Sequence, residues 1–235
     1  MEISVHWDGK VFQRFSDLAI CMGTVNNVHI EEENEEENEQ IHRLKQSVYA
    51  EIKGRYNIET LKDNGTVRAY RDFYWKLGID PTKTRPSGEA LLRRVLHGDT
   101  LPRISTVVDA YNLASMQTII PVSGFDRDCL NPPFHVRFAE NGEAFIGIGM
   151  SKPMILTDKM LVLADQKQVL SIYPYRDSDN TKITLHTRNV LVVGYGATSI
   201  SKQQLTEAVK TTLEYIRLVS SGEVGTVKVF NSTCK

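Results

Sequence analysis

TVVDAYNLASMQTIIPVSGFDRDCL occupies residues 106–130, and its reading decides how the flanking chain is organised. Val107, Val108, Tyr111, Leu113, Ala114 and Met116 return at helical spacing, which predicts a helix. Asp109 and Asn112 sit three apart, so that helix places them one above the other on one side. Thr118-Ile119-Ile120-Pro121 then reads as a short extended piece, because proline biases its predecessor away from helix. Ser123-Gly124-Phe125-Asp126 reads as a turn. A rigid helix with a tight loop beside it brings polar groups together, the usual construction of a small-molecule or ester-binding site.

Upstream, Ile3, Val5 and Trp7 alternate on one side of a first strand over residues 2–7, and residues 18–28 read as a second. EEENEEENE at 31–39 holds seven glutamates in nine residues and reads as a solvated helix start, where acidic groups favour the positive end of the dipole. Ile41, Leu44, Val48 and Ile52 mark the buried stripe of the helix that follows, ending near Gly54. Val67, Tyr70, Phe73, Tyr74 and Leu77 fit a helix that stops at Gly78, and Ala90, Leu91, Val95 and Leu92 another that ends at Gly98. Between Arg68 and Arg103 eight basic residues face four acidic ones. Arg71, Lys83, Arg85, Arg93 and Arg94 therefore either steer a phosphate backbone or pair with nearby acids on an ordinary surface.

Downstream, residues 135–138 resume as a strand, and Asn141-Gly142 signals a hairpin to residues 144–148. Residues 161–164, 169–173, 183–186 and 190–195 look like further strands without intervening helices, which favours one antiparallel or mixed sheet system drawn mainly from 134–195. Ser201-Lys-Gln-Gln204 is a capping-box sequence ahead of the stripe Leu205, Val209, Leu213 and Ile216. The tail from Ser220 offers one strand, 227–230, and otherwise little order. The fold expected is a single α+β domain over 1–235, mixed or antiparallel sheets with packed helices.

A formal charge of −1 argues against a surface that grips nucleic acid everywhere, though not against a local basic face. The apolar runs fall far below the ~20 residues of a membrane span. Polar residues follow Met1 at once, leaving no apolar signal segment, and three scattered cysteines (21, 129, 234) make neither a disulfide framework nor a zinc site. A cytoplasmic protein is expected. HExxH, CxxC, GxxxxGKS and GxSxG are absent, and no metal or cofactor is expected. Tyr175-Arg176-Asp177-Ser178-Asp179 is a second polar cluster at a strand end. Its arginine either holds a carboxylate or phosphate bidentately or closes an acidic turn.

VDAYN followed by an apolar stretch and Pro-x-x-Gly-Phe-Asp resembles the editing (B3/B4) domain of the bacterial phenylalanyl-tRNA synthetase β-subunit, and free-standing proteins built from that domain. The similarity runs upstream through RDFYWKLGIDPTKTRPSGEALLRRVL and downstream through YRDSDNT, with its core over 66–200, strands and a helix before it at 1–65, and a helix and tail at 201–235. The resemblance implies hydrolysis of the ester joining a wrong amino acid to the 3′ end of tRNA, with a positioned water and no protein nucleophile. Asn112 falls on the family asparagine, Pro121 on its proline, and Phe125 and Asp126 on its Phe-Asp. The family histidine three residues before that Asp is Ser123 here. Asn112 and Ser123 are accordingly expected to hold the water or ester, with Asp109 and Asp126 fixing them and Arg176 and Asp177 facing the amino-acid end. The basic stretch is expected to meet tRNA. A serine is a poor base without a neighbour, so a non-catalytic module that binds tRNA or an amino-acid derivative remains open beside the hydrolase, as does an enzyme acting on a small metabolite.

Overall fold

The computed structural model describes residues 3–31 and 38–232. In chain order the elements are β1 (Val5–Trp7), α1 (Gly9–Arg14), β2 (Ala19–Asn26), α2 (Glu39–Arg55), α3 (Gly65–Lys76), α4 (Ser87–Leu96), α5 (Thr106–Thr118), β3 (Val122–Asp126) and β4 (Phe134–Phe138). Short strands β5 (Ala144–Phe145) and β6 (Met154–Ile155) precede β7 (Leu161–Ala164), β8 (Val169–Ile172), β9 (Arg176–Asp177) and β10 (Val190–Tyr195). The chain then forms α6 (Lys202–Ser220) and β11 (Glu223–Asn231). Of the acidic run, residues 32–37 lie outside the described residues, as does Cys234. The helix after that run begins at Glu39 with Asn38 as its cap, whose side chain accepts from the Gln40 amide.

The strands form two sheets rather than one. A five-stranded sheet has the order β1-β4-β7-β8-β9, a four-stranded sheet the order β11-β2-β10-β3, and β5 pairs only with β6. The second sheet draws three of its four strands, β2, β3 and β11, from outside residues 134–195, and β1 enters the first by pairing parallel to β4. β2, buried except at Asn26, and wholly buried β10 are largely apolar because both their faces are covered. On one side lies α6, with Leu205, Val209, Leu213 and Ile216 buried as its stripe predicts. Each such side chain contributes about 1.5–3 kcal/mol on burial. Ser201 and Gln204 form the expected capping box.

Several expectations are corrected. Residues 123–126 are not a turn but part of β3, held by antiparallel pairing of Ser123 with Val193 and Gly124 with Val192. Tertiary pairing overrides the local turn preference of Ser-Gly. The reversal comes earlier, where α5 runs on through Thr118 and Ile119 ends it in the left-handed region at φ 60°. The Asn141-Gly142 bend exists, with Gly142 at φ 93°, but joins no hairpin. Both edges of β4 are already taken by β1 and β7. The Arg137 side chain reaches over the bend instead, donating to Glu143 at 2.7 and 3.0 Å. Residues 183–186 form no strand, because the Thr184 amide turns back onto the Thr187 hydroxyl at 3.0 Å. On α4 the buried set is Gly88, Glu89, Leu92 and Val95, leaving Ala90 exposed. The tail carries the nine residues of β11.

Candidate functional site

β3 is an edge strand of the four-stranded sheet and β9 an edge strand of the five-stranded one. Where these edges meet, the Ser123 hydroxyl donates to Asp177 Oδ1 at 2.9 Å. Strand register explains the meeting. Asp177 lies opposite Ser171 on β8, and Ser123 lies opposite Val193 on β10. Their side chains fill the seam together with Tyr195, whose hydroxyl bonds Ser171 Oγ at 2.7 Å and also interacts with Ser123. A chain Ser171–Tyr195–Ser123–Asp177 thus leaves the five-stranded sheet at Ser171, runs through Tyr195 and Ser123 of the four-stranded sheet, and returns to the first at Asp177. Desolvation pushes the Asp177 carboxyl up to about 6, opposed by the Ser123 bond and then by the Arg176 charge. The same carboxylate, after burial itself, pushes the Tyr195 and Tyr111 phenols up. Those phenols stay protonated donors near neutrality.

α5 forms the third wall. Its N-cap Ser105 accepts from the Val108 amide, and Thr106–Ala110 are buried. The Tyr111 ring lies against Gly124, two of its carbons only 3.0 Å from where a Cβ would stand. A larger residue at 124 would require the Tyr111 ring to give way by a few tenths of an ångström. Asn112, next along the helix, is half-buried, and its side chain has no hydrogen-bond partner among the described residues.

The other residues singled out from sequence are placed as follows. Asp109 faces α2 and forms a buried ion pair with Lys45 Nζ at 2.7 Å, while its other oxygen accepts from the Ile104 amide at 3.1 Å. Asp126 accepts from the Thr187 hydroxyl at 2.7 Å and the Asp128 amide at 3.1 Å, tying the end of β3 to the loop before β10. Both brace the walls rather than enter the seam. Arg176 turns outward, with Nη1 donating to the Ile148 carbonyl at 3.2 Å and its guanidinium 5.6 Å from the Tyr175 ring centre. Arg71 and Arg93 converge on Glu89, which is 1% exposed, at 2.8 and 2.5 Å from Arg71 and 2.6 Å from Arg93. Their charge is largely spent holding α3 to α4. Arg94 bonds the Thr100 carbonyl at 2.5 Å but stays exposed, as do Lys83 and Arg85. Cys129 is exposed, and burial together with Asp126 and Asp128 raises its thiol above the ordinary value, which disfavours the thiolate.

Sequence reasoning missed the Tyr195–Ser171 pair. Each sits inside an apolar run, where a lone hydroxyl among Val, Leu and Ile is the only available signal.

Residues 69–216 match the family described as the B3/4 domain, which is more than half of the chain. The chain belongs to the B3/4 domain family. Among similar curated proteins, this B3/4 chain is 27% identical over 89 residues to the phenylalanine–tRNA ligase beta subunit of Haemophilus ducreyi, covering 38% of this chain and 11% of that one. It is 26% identical over 114 residues to the same subunit from Neisseria meningitidis serogroup B, covering 48% of this chain and 14% of that one. The matches therefore span a small part of those relatives. Among solved structures, an N-terminal fragment of the phenylalanyl-tRNA synthetase beta-subunit from Pyrococcus horikoshii superposes with a TM-score of 0.49 at 14% identity, over 95% of this chain and 50% of that one. No helix among the described residues is long and apolar enough to cross a membrane.

Proposed function

We propose that this B3/4 chain hydrolyses the ester of mischarged aminoacyl-tRNA in trans, with Asp177 as the general base. The observation that carries this reading is the Ser123–Asp177 hydrogen bond at the seam of the two sheets. Where the synthetase element has a histidine, the serine here is backed by a carboxyl held near 6, close to the value that suits a base working near neutral pH. In the reaction a water attacks the ester carbonyl while Asp177 accepts its proton. The tetrahedral intermediate then collapses, the C–O bond to the ribose breaks, and the leaving 3′-oxygen takes the proton back. The products are the free amino acid and a tRNA with its 3′-hydroxyl restored. Ser123 orients the base, Tyr195 fixes Ser123, and the Asn112 amide bonds the water or the ester. An aminoacyl ester is already reactive, so positioning supplies useful acceleration without a covalent intermediate.

The tRNA partner follows from the same reading and is supported by similarity to segments of proteins named as phenylalanine–tRNA ligase subunits. The test offers the purified chain a panel of matched and mismatched aminoacyl-tRNAs and follows ester loss against pH. Hydrolysis of mismatched pairs, falling as pH drops below about 6, is the expected result. Absence of turnover on every charged tRNA, with tRNA still bound, replaces the hydrolase by a binding module.

A further inference from the structure

β1 meets β4 in a parallel pair with His6 directly opposite His135. Residues opposite one another share a sheet face, and their chain neighbours point the other way. Phe134 and Val136 are fully buried on that other face. Both imidazoles therefore stand on the outer one, His6 exposed and His135 half-buried. Their ring centres are 5.3 Å apart, with the planes 26° from parallel. Two imidazoles on one tetrahedral ion, with metal–nitrogen bonds of about 2.0–2.1 Å, have ring centres roughly 5 Å apart. The strand register thus holds the rings at chelating separation, and a turn about the soft terminal torsion of each side chain brings a nitrogen of each toward a common point.

The charges around the pair favour a cation. Arg137, next on the same face of β4, is neutralised by Glu143 at 2.7 and 3.0 Å. Asp165 follows Ala164, the β7 partner of His135, and its field reaches the imidazole. Its carboxylate is held by the Asn131, Lys167 and Gln168 amides, so it supplies negative charge rather than a ligand. Among the described residues no third His, Cys, Asp or Glu joins the two histidines, and the remaining coordination positions fall to water. Imidazole nitrogen selects zinc, nickel and copper(II) over magnesium and calcium, which take oxygen ligands. We propose that His6 and His135 chelate a divalent transition-metal ion of this kind and thereby bolt edge strand β1 to β4. β1 and β9 are opposite edges of the five-stranded sheet, so the site is separate from the Ser123–Asp177 seam and independent of the hydrolase reading.

Calorimetric titration of the intact chain, free of any polyhistidine tag, with zinc chloride and with magnesium chloride tests the assignment. Zinc binds and magnesium does not. His6→Gln and His135→Gln each weaken zinc about tenfold or more, because a chelate reduced to one arm loses its intramolecular second contact. The double variant is little weaker than either single one. Cys129→Ser removes the exposed thiol and leaves zinc binding unchanged. In proton NMR, zinc moves the ring signals of two of the six histidines, and those two are the ones missing from the variants. An ion that binds the folded chain raises its melting temperature, so zinc stabilises the parent and not His6→Gln. His6 is exposed, so His6→Gln keeps the fold and carries the test if His135→Gln does not fold. Zinc affinity unchanged in His6→Gln, binding lost in Cys129→Ser, magnesium bound as tightly as zinc, or no binding at submillimolar zinc overturns the assignment.

Discussion

In the proposed hydrolysis Asp177 would serve as the base, and its burial carries a stability cost. Its carboxyl is raised in the folded chain from the ordinary 3.8 to about 6, so the folded state binds this proton more tightly than the unfolded chain does. The advantage is complete below about 4 and is lost as pH rises through about 6, and it is worth at most about 3 kcal/mol. Asp177→Asn, which still accepts from Ser123, should therefore raise the melting temperature at pH 8 and leave it nearly unchanged at pH 4. The same variant should lower single-turnover deacylation by roughly 10²–10⁴-fold, the range for loss of a general base. Equal melting temperatures at pH 8 would mean the carboxyl is not raised. Asn112→Ala removes an amide that both donates and accepts. The expected loss is about 2–4 kcal/mol of transition-state stabilisation, seen in kcat with uncharged tRNA affinity unchanged.

Among the elements, α3 and α4 are locked by the Arg71–Glu89–Arg93 clamp. The two guanidiniums hold the Glu89 carboxyl below its ordinary value against the opposing effect of burial. Its contribution is thus present above the usual glutamate range and lost as pH falls through the lowered folded value. Glu89→Gln strands two partly buried cations and should cost about 3–5 kcal/mol in denaturant unfolding. Half of this clamp is legible in the chain, since Glu89 and Arg93 stand four apart on one helix. Arg71 comes from a different helix and cannot be assigned that way. The seam divides similarly. α5 is readable because its apolar residues keep a 3.6-residue period, and Ser123 stands out against the synthetase pattern. Their meeting with Asp177, 54 residues downstream, depends on which strands become sheet edges. No local pattern encodes that, and for the same reason β3 reads as a turn, whereas residues 183–186 miss their strand through the local bond of the Thr184 amide to the Thr187 hydroxyl.

For the whole molecule, the basic stretch and the family match each make a claim. With Arg71 and Arg93 committed to Glu89, the proposed tRNA contact moves to exposed Arg85 and Arg94. Replacing both with glutamate should weaken tRNA binding and reduce the slope of log K against log salt by about 2, roughly one per lost phosphate contact. An unchanged slope would put the RNA on another face. The segment 69–216 that matches the family lacks β1, β2 and β11. Expressed alone it would leave one edge of β10 and one edge of β4 bare, so it should aggregate where the full chain stays monodisperse in size-exclusion chromatography. The pairing of β2 also sets an order of events during synthesis. Gly23 in this strand meets Val192 on one side and Val227 on the other, so this apolar strand waits for partners made long after it. Closing such distant pairings is slow, and until β11 has emerged from the ribosome the nascent chain carries an unpaired apolar strand that a chaperone would recognise.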